Sequence, residues 1–587
     1  MRSSDAVKLL TRRVGPFSLL CSLAMVLFGF GPCSKSSTSS SRTTAPSTGS
    51  EAGGSPQTAL TPAQAAAAVS AAMVEYKKGP TADCQKVIKG LVSGLPDDVT
   101  AANEASFYAL ADCAQREKRW SLMKQATVRL IRGDKNFPHP AMLPTAEIGM
   151  GEYTKAQTDV AALLPRYPKD PEILMVKGII PCKQMQWAAC LQGMDDAVKL
   201  AHAVSFPTVQ TFEGNADVHR ADAFMHLGQL DQAQKAIDAA DKLGGGKAAV
   251  AGIRKDLVPA KASKVVIDEF HQSELPLGIY HLYGKTKEAG VPAQVWVYNI
   301  GTADRQFKVE SEIVGVTDVF TSNVTVLKGA NEVVPMVPTL KASFQPNAQR
   351  SDMPALMHVK VTALDPKGPT VVFDESDQIK LLPHDSLMLA VRVDEDATRP
   401  FDDYMGAWVT PNAKAVDAFL QAAKKRAPKE TFAGTQSATL PQVEAIYEEL
   451  HERGVSYVMD PEVASDTGFA QRTRLPSDVL TSNNAQCLEG AILFATMMEA
   501  IGLDPMIIRI PGHAFVGWHS AKDPVPDVTR LYVETTMVHT ASFADAVKYA
   551  KVEFDKQTGM HHFEQGISRI IEIKTLRGKG ITPQPWE

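Results

Sequence analysis

The decisive stretch is Asn484-Ala485-Gln486-Cys487-Leu488-Glu489-Gly490, followed at once by Ala491-Ile492-Leu493-Phe494-Ala495-Thr496-Met497-Met498-Glu499-Ala500-Ile501 and then Gly502. The second part is apolar on nearly every face, so it reads as a buried helix stopped by Gly502. Cys487 falls at the first turn of that helix. There the unpaired backbone N–H groups and the helix dipole favour a thiolate, the form of cysteine that attacks an acyl carbon.

Downstream, Pro505 to Ile510 reads as a strand, Pro511-Gly512 as a turn, and His513 to Trp518 as a second strand. Arg530 to Thr536 is a third, carrying Glu534. A helix followed by adjoining strands lets a Cys meet a His, with a carboxylate steering the imidazole. Upstream, Val416 to Lys425 reads as helix. Pro441 opens another, with Val443, Ile446, Tyr447 and Leu450 on one face and Gly454 as its stop. Val455 to Val458 is a short extended piece.

From about Gln436 to Trp586 the chain resembles the transglutaminase-like branch of the papain-type cysteine enzymes. Three features carry the resemblance. A Cys opens an apolar helix ending in Ala500-Ile501-Gly502-Leu503, Gly512-His513-Ala514-Phe515 enters a strand, and Glu534-Thr535 lies on the next. A helix over Ser542 to Asp555, and a strand over Arg569 to Ile573 before Gly580-Ile581-Thr582-Pro583, are similar to the ending of a bacterial subgroup. The resemblance implies an α+β transglutaminase-like domain over 436–587, with Cys487 as nucleophile and His513 as general base and acid. Glu534 would orient the imidazole where the family more often has Asp. The oxyanion donors implied are the Cys487 N–H and a side chain shortly before it, with Gln486, Asn484 and Asn483 all open. The chemistry implied is a thioester resolved by hydrolysis, deamidation or acyl transfer to an amine, with no cofactor. His519, His539 and the pair His561-His562 lack metal-ligand spacing, and no His-Glu-x-x-His occurs, so no metal site is expected.

Residues 61–262 read as helical repeats. Tyr153, Trp187 and Leu230 each open a helix, and a small residue follows three positions later at Ala156, Cys190 and Ala233. The step from Ala156 to Cys190 is 34 residues and from Cys190 to Ala233 is 43. The first is close to the tetratricopeptide period, and Leu163 to Pro171 resembles that family's proline-marked exit. Such stacks commonly bind a protein or peptide partner. Gly244-Gly245-Gly246-Lys247 lacks phosphate-loop spacing and reads as a turn. Residues 263–385 read as a β-sandwich of immunoglobulin type, with strands at 294–298, 307–311, 323–327 and 359–363. Residues 386–435 are expected to be a linker containing one helix.

The N-terminus reads as an export signal. Lys8, Arg12 and Arg13 precede an apolar run from Phe17 to Phe30 that is short for a membrane span. Cys33 sits between that run and a Ser/Thr/Gly-rich tether over 34–60, which resembles a bacterial lipoprotein signal over 1–33 with Cys33 as the lipidation site. Pro32 departs from the small residue that signal prefers. The implied place is the bacterial cell envelope, anchored by lipid to the outer membrane.

With 587 residues and a net charge of −5, the chain has room for several domains and lacks the basic balance of a general nucleic-acid binder. Of the seven cysteines, Cys84, Cys113, Cys182 and Cys190 form an even set in the helical region. The pairs nearest in sequence, Cys84–Cys113 and Cys182–Cys190, are the expected disulfides, with reduced core thiols as the alternative. These readings leave two functions open. One is a lipid-anchored cysteine enzyme acting on protein or peptide amides in the envelope. The other is a non-catalytic scaffold lipoprotein that binds partners through its repeats.

Overall fold

A computed structural model describes residues 60–133, 137–287, 289–394, 397–458, 463–465, 468–523 and 529–586. The expectations for the export signal, Cys33 and nearly all of the tether lie outside these residues. Helices fill the N-terminal part and sheets dominate the C-terminal remainder. No helix among the described residues is long and apolar enough to cross a membrane.

Eleven helices run from Pro62–Tyr76 to Lys247–Ser263 among the described residues, each packed on the next in sequence. Tyr153–Leu163, Trp187–Ala203 and Leu230–Leu243 begin at the three residues expected to open helices. Ala156, Cys190 and Ala233 are fully buried, which is why those positions must be small. Trp120–Gly133 begins the same way. Its third following residue is Met123, and this larger side chain hid the likeness in the sequence. Helices Pro171–Lys183 and Trp187–Ala203 meet backbone to backbone, since a Cβ on Gly193 would stand 2.4 Å from the Gly178 Cα. Disulfides join Cys84 to Cys113 and Cys182 to Cys190, with Cα separations of 5.0 and 4.7 Å. Each ties two helices that are neighbours in sequence.

The last helices pack on a three-stranded antiparallel sheet of Val265–His271, Ala293–Asn299 and Asn331–Met336. His226 pins this junction. Its ring stacks on Trp187 at 4.0 Å and meets the edge of Tyr298 at 4.6 Å. Nδ1 donates to the Asp222 carbonyl at 2.8 Å, and Nε2 donates to Asp268 Oδ2 at 3.0 Å, on the first strand. Burial alone would lower the His226 pKa. The carboxylates of Asp268 and Asp222 outweigh it and hold the pKa well above the ordinary value.

A five-stranded sheet holds Glu274–Pro276, Gly368–Leu382, Met353–Asp365, Arg305–Ile313 and Phe320–Val326 in that order, with only the first pair parallel. The four expected strands all overlap strands of the two sheets. The sheets share one core, where Val295 and Val297 belong with Phe307, Val309 and Val361. That core continues without a break into the C-terminal region, through Trp408, Phe419, Phe494 and Trp518.

Residues 386–435 are therefore not a linker. Ser386–Asp394 pairs with Gly468–Arg472, and Trp408, Val409, Val416 and Phe419 are fully buried. Asp402 lies buried between Arg509 at 2.7 Å and Arg569 at 3.1 Å. The turn Asp402–Ala407 is 3-10, so its apolar residues follow neither helix nor strand periodicity, and the partners of Asp402 lie more than 100 residues away.

Removing the His226 ring leaves two carboxylates buried without their cation. His226→Ala is expected to destabilise the junction by about 3–5 kcal/mol, read as a lower urea midpoint for the helical region. The imidazolium's contribution is complete below the unfolded pKa of about 6.5 and is lost as pH rises through the higher folded value. The gap between wild type and variant therefore narrows as pH rises through that folded value, and the part due to ring packing on Trp187 and Tyr298 remains.

Candidate active site

Cys487 is the first residue of the helix Cys487–Ala500, and Gln486 is its extended N-cap. Residues Leu488 to Met498 are all buried. The acidic residue of the first turn, Glu489, is 1% exposed and holds the approach to the cysteine together. Its carboxylate accepts from the backbone N–H of Arg474 at 2.7 Å and of Gln486 at 3.1 Å. It also accepts from Arg474 Nε and Nη2, at 3.0 and 2.6 Å. Arg474 Nη1 reaches on to Asn484 Oδ1 at 2.7 Å. A carboxylate at the first turn also complements the helix dipole.

The helix packs on two strands of a four-stranded antiparallel sheet, Pro505–Ile510 and His513–His519. Gly512 makes the turn between them at φ +70°, a conformation that favours glycine. His513 thus emerges at the strand start. Strand Arg530–Val533 pairs with the His513 strand and ends sooner than the sequence suggests. Glu534 leaves the ladder and caps the 3-10 turn Thr535–Met537. Gly490 permits the close approach of helix and turn, since a Cβ there would stand 2.8 Å from Thr535 Oγ1.

This packing brings the three sequence-derived residues together. His513 Nε2 donates to Glu534 Oε2 at 2.7 Å. Glu534 is 1% exposed, and its Oε1 accepts from the Thr536 N–H at 3.0 Å and hydroxyl at 2.7 Å. His513 also stands close to Cys487, the free cysteine among the described residues, near enough for the two groups to interact electrostatically. Burial would lower the His513 pKa, but the hydrogen bonds from Cys487 and Glu534 and their charges raise it to about 10. A cation therefore stands beside Cys487 at neutral pH. The longer arm of Glu534 reaches the ring without difficulty, because the residue has stepped out of the strand.

Of the three amide side chains considered as oxyanion donors, two are bonded to other partners and one is exposed. Gln486 Nε2 donates to the Arg472 carbonyl at 2.9 Å, and its Oε1 accepts from Gln471. Asn484 Nδ2 donates to the Ser482 carbonyl at 3.1 Å. Asn483 caps the preceding helix in the left-handed region at φ 50° and is exposed. Tyr457, which the sequence reading passed over, faces the site instead. Ser456–Tyr457 pairs in parallel with Asn484–Ala485, so Tyr457 stands opposite Ala485, two residues before Cys487. Burial and the charges of Cys487 and Glu534 all raise its pKa. Tyr457, Gln486, Gly490, Thr535 and Thr536 border a cavity of about 10 Å³, room for about one water. The signal available in the sequence was the short extended piece 455–458, whose pairing partner could not be read.

His519 faces Glu572 at 3.7 Å, His561 faces Glu564 at 3.1 Å, and His562 faces Gln557 at 2.6 Å. The one group among the described residues with three metal-ligating side chains in mutual reach is Glu269, His271 and Asp377, in the sheets rather than at the cysteine. No protein-family model matches the chain, and no curated protein matches it either.

Two outcomes are expected. At pH 6 an isolated thiol of pKa about 8.5 would be about 0.3% thiolate. Cys487 should alkylate with iodoacetamide at pH 6 at least about tenfold faster in the folded protein than in the unfolded chain, and His513→Ala should abolish the excess. Glu489→Ala should lower stability by about 3 kcal/mol in thermal or urea unfolding, because it removes the Arg474 ion pair and leaves the backbone N–H groups of Arg474 and Gln486 without their acceptor.

Proposed function

We propose that the chain is an exported, lipid-anchored, transglutaminase-like cysteine enzyme that acts on protein or peptide amides of the bacterial envelope. The observation that carries this reading is His513 held between Cys487 and a buried Glu534. The Cys487 thiolate attacks a carboxamide carbon and a C–S bond forms. The His513 imidazolium gives its proton to the departing ammonia or amine as the C–N bond breaks, leaving a thioester. Neutral His513 then takes a proton from water, or from an amine, which attacks the thioester and frees the thiol. Hydrolysis is the favoured resolution. The Cys487 N–H at the helix start and the Tyr457 hydroxyl are the donors for the oxyanion.

The helical region is read as tetratricopeptide-like repeats that recruit a protein partner, and the two sheets as an immunoglobulin-like spacer. Two disulfides in one chain support an oxidising compartment and hence export, with Cys33 as the lipid anchor.

The test is to incubate wild type and Cys487→Ala with envelope proteins and a labelled primary amine, then analyse the products by mass spectrometry. Cleavage, deamidation or amine incorporation that depends on Cys487 is expected. Unchanged proteins with folded wild type, across a panel of envelope fractions, would sink the enzyme reading and leave the scaffold. Once a substrate is in hand, Tyr457→Phe should lower kcat about 100-fold with little change in KM.

A further inference from the structure

We propose that Glu269, His271 and Asp377 form a site for a divalent first-row cation, zinc or manganese by its donor set, at the corner where the chain passes from one sheet to the other. Glu269 and His271 lie two residues apart on the strand Val265–His271, so their side chains share a face. Three residues after His271 the chain joins the other sheet as Glu274–Pro276, parallel to Gly368–Leu382. Asp377 projects from that second strand. The three side chains therefore come from both sheets and meet across the corner.

The ligand atoms all lie within 4.8 Å of one another. His271 Nδ1 stands 2.8 Å from Glu269 Oε1 and 3.7 Å from Asp377 Oδ2. Ligands about 2.0–2.1 Å from a tetrahedral zinc are about 3.3 Å apart, a spacing these two distances bracket. Side-chain adjustment then brings all three atoms, already within 4.8 Å of one another, onto a common ion. Both carboxylates approach the same ring nitrogen. A cation at that point would serve all three groups together. The side chains of His271 and Glu269 are only 1% and 7% exposed, whereas Asp377 is 31% exposed. The deep ligands are fixed by packing, and the open side at Asp377 supplies the entry path and room for a water as fourth ligand. One imidazole and two carboxylates, with no thiolate, is a donor set for zinc or manganese rather than for a soft cation. The ion would add a clamp between the two sheets at this corner, beside the short strand Glu274–Pro276.

The test uses the full chain carrying Cys487→Ala, so that the active-site thiol cannot take up metal. After chelator treatment and desalting, Zn²⁺ and Mn²⁺ are titrated by calorimetry. One-to-one binding of at least one of them is expected, together with a raised Tm. Asp377→Asn keeps the side-chain shape at the most exposed position and should weaken binding by at least about tenfold, with an unchanged circular dichroism spectrum. His271→Gln should abolish binding, and the Asp377 variant decides if that protein fails to fold. Absence of one-to-one binding for both ions, or binding unaltered by Asp377→Asn, would overturn the site. The outcome does not depend on thiol chemistry, so the two proposals stand or fall separately.

Discussion

A helix that is apolar on every face has to be enclosed on every face, and Cys487–Ala500 sets that condition for the C-terminal half of the chain. Leu488 to Met498 are buried without a break, so no side of the helix can be left to water. One flank is covered by the strands Pro505–Ile510 and His513–His519, and others by the helices Lys414–Ala423 and Leu440–Glu452. At its far end, Arg577 bonds to Glu499 and to the carbonyls of Gly406 and Val409. Complete enclosure draws residues 386–435 into the core, so the region before the site cannot be a tether. The helix meets solvent only at its two ends, at Glu499 and Ala500 and at Cys487.

The Cys487 end is polar for electrostatic reasons. Four backbone N–H groups lack helical partners at a helix start. Glu489 takes the N–H of the cap, Gln486, and binds Arg474 as well, and so fixes where the first turn begins. Glu534 does the same for the turn at Thr535 and Thr536, while its other oxygen holds His513. Each buried carboxylate thus has a structural set of donors in addition to its cation. This matters for reactivity, because a thiolate–imidazolium pair depends on the ring keeping one orientation, and Glu534 is held at both oxygens.

Much of the site was legible because its signals are local. Pro505, the Pro511-Gly512 turn and the apolar run after Cys487 act within a few residues, and the elements they mark begin where expected. Glu534 was legible as a residue but its exit from the strand was not, since that depends on the approach of Gly490 to Thr535 from another element. Tyr457 was missed for the same reason. A two-residue strand has no period, and its place beside Cys487 follows from pairing with Asn484–Ala485, 28 positions on. The helix Ile573–Gly578 was missed because its Arg577 is committed to Glu499, 78 residues away, and a six-residue helix shows too little periodicity to read. In the helical region, Tyr153, Trp187 and Leu230 announced their helices through a small residue one turn on. Trp120 opened one without that residue and went unseen.

The cysteines connect the two halves of the chain. Under the proposed export, a chain that keeps a thiolate for chemistry faces an oxidising surrounding in which any accessible second thiol would capture it. The four cysteines of the helical region are paired with each other, each across a short loop. Such bridges close before distant residues meet, since short loops cost less entropy than long ones. Cys487 lies nearly 300 residues beyond the last of them, so the helical region can complete its bridges while the segment carrying Cys487 is still unfolded or unmade. Lipidation of Cys33 would remove the remaining competitor near the start of the mature chain. The separation of cysteines along the sequence then does in time what the enclosed helix does in space: it leaves one thiol unpaired, at the single end where His513 can reach it.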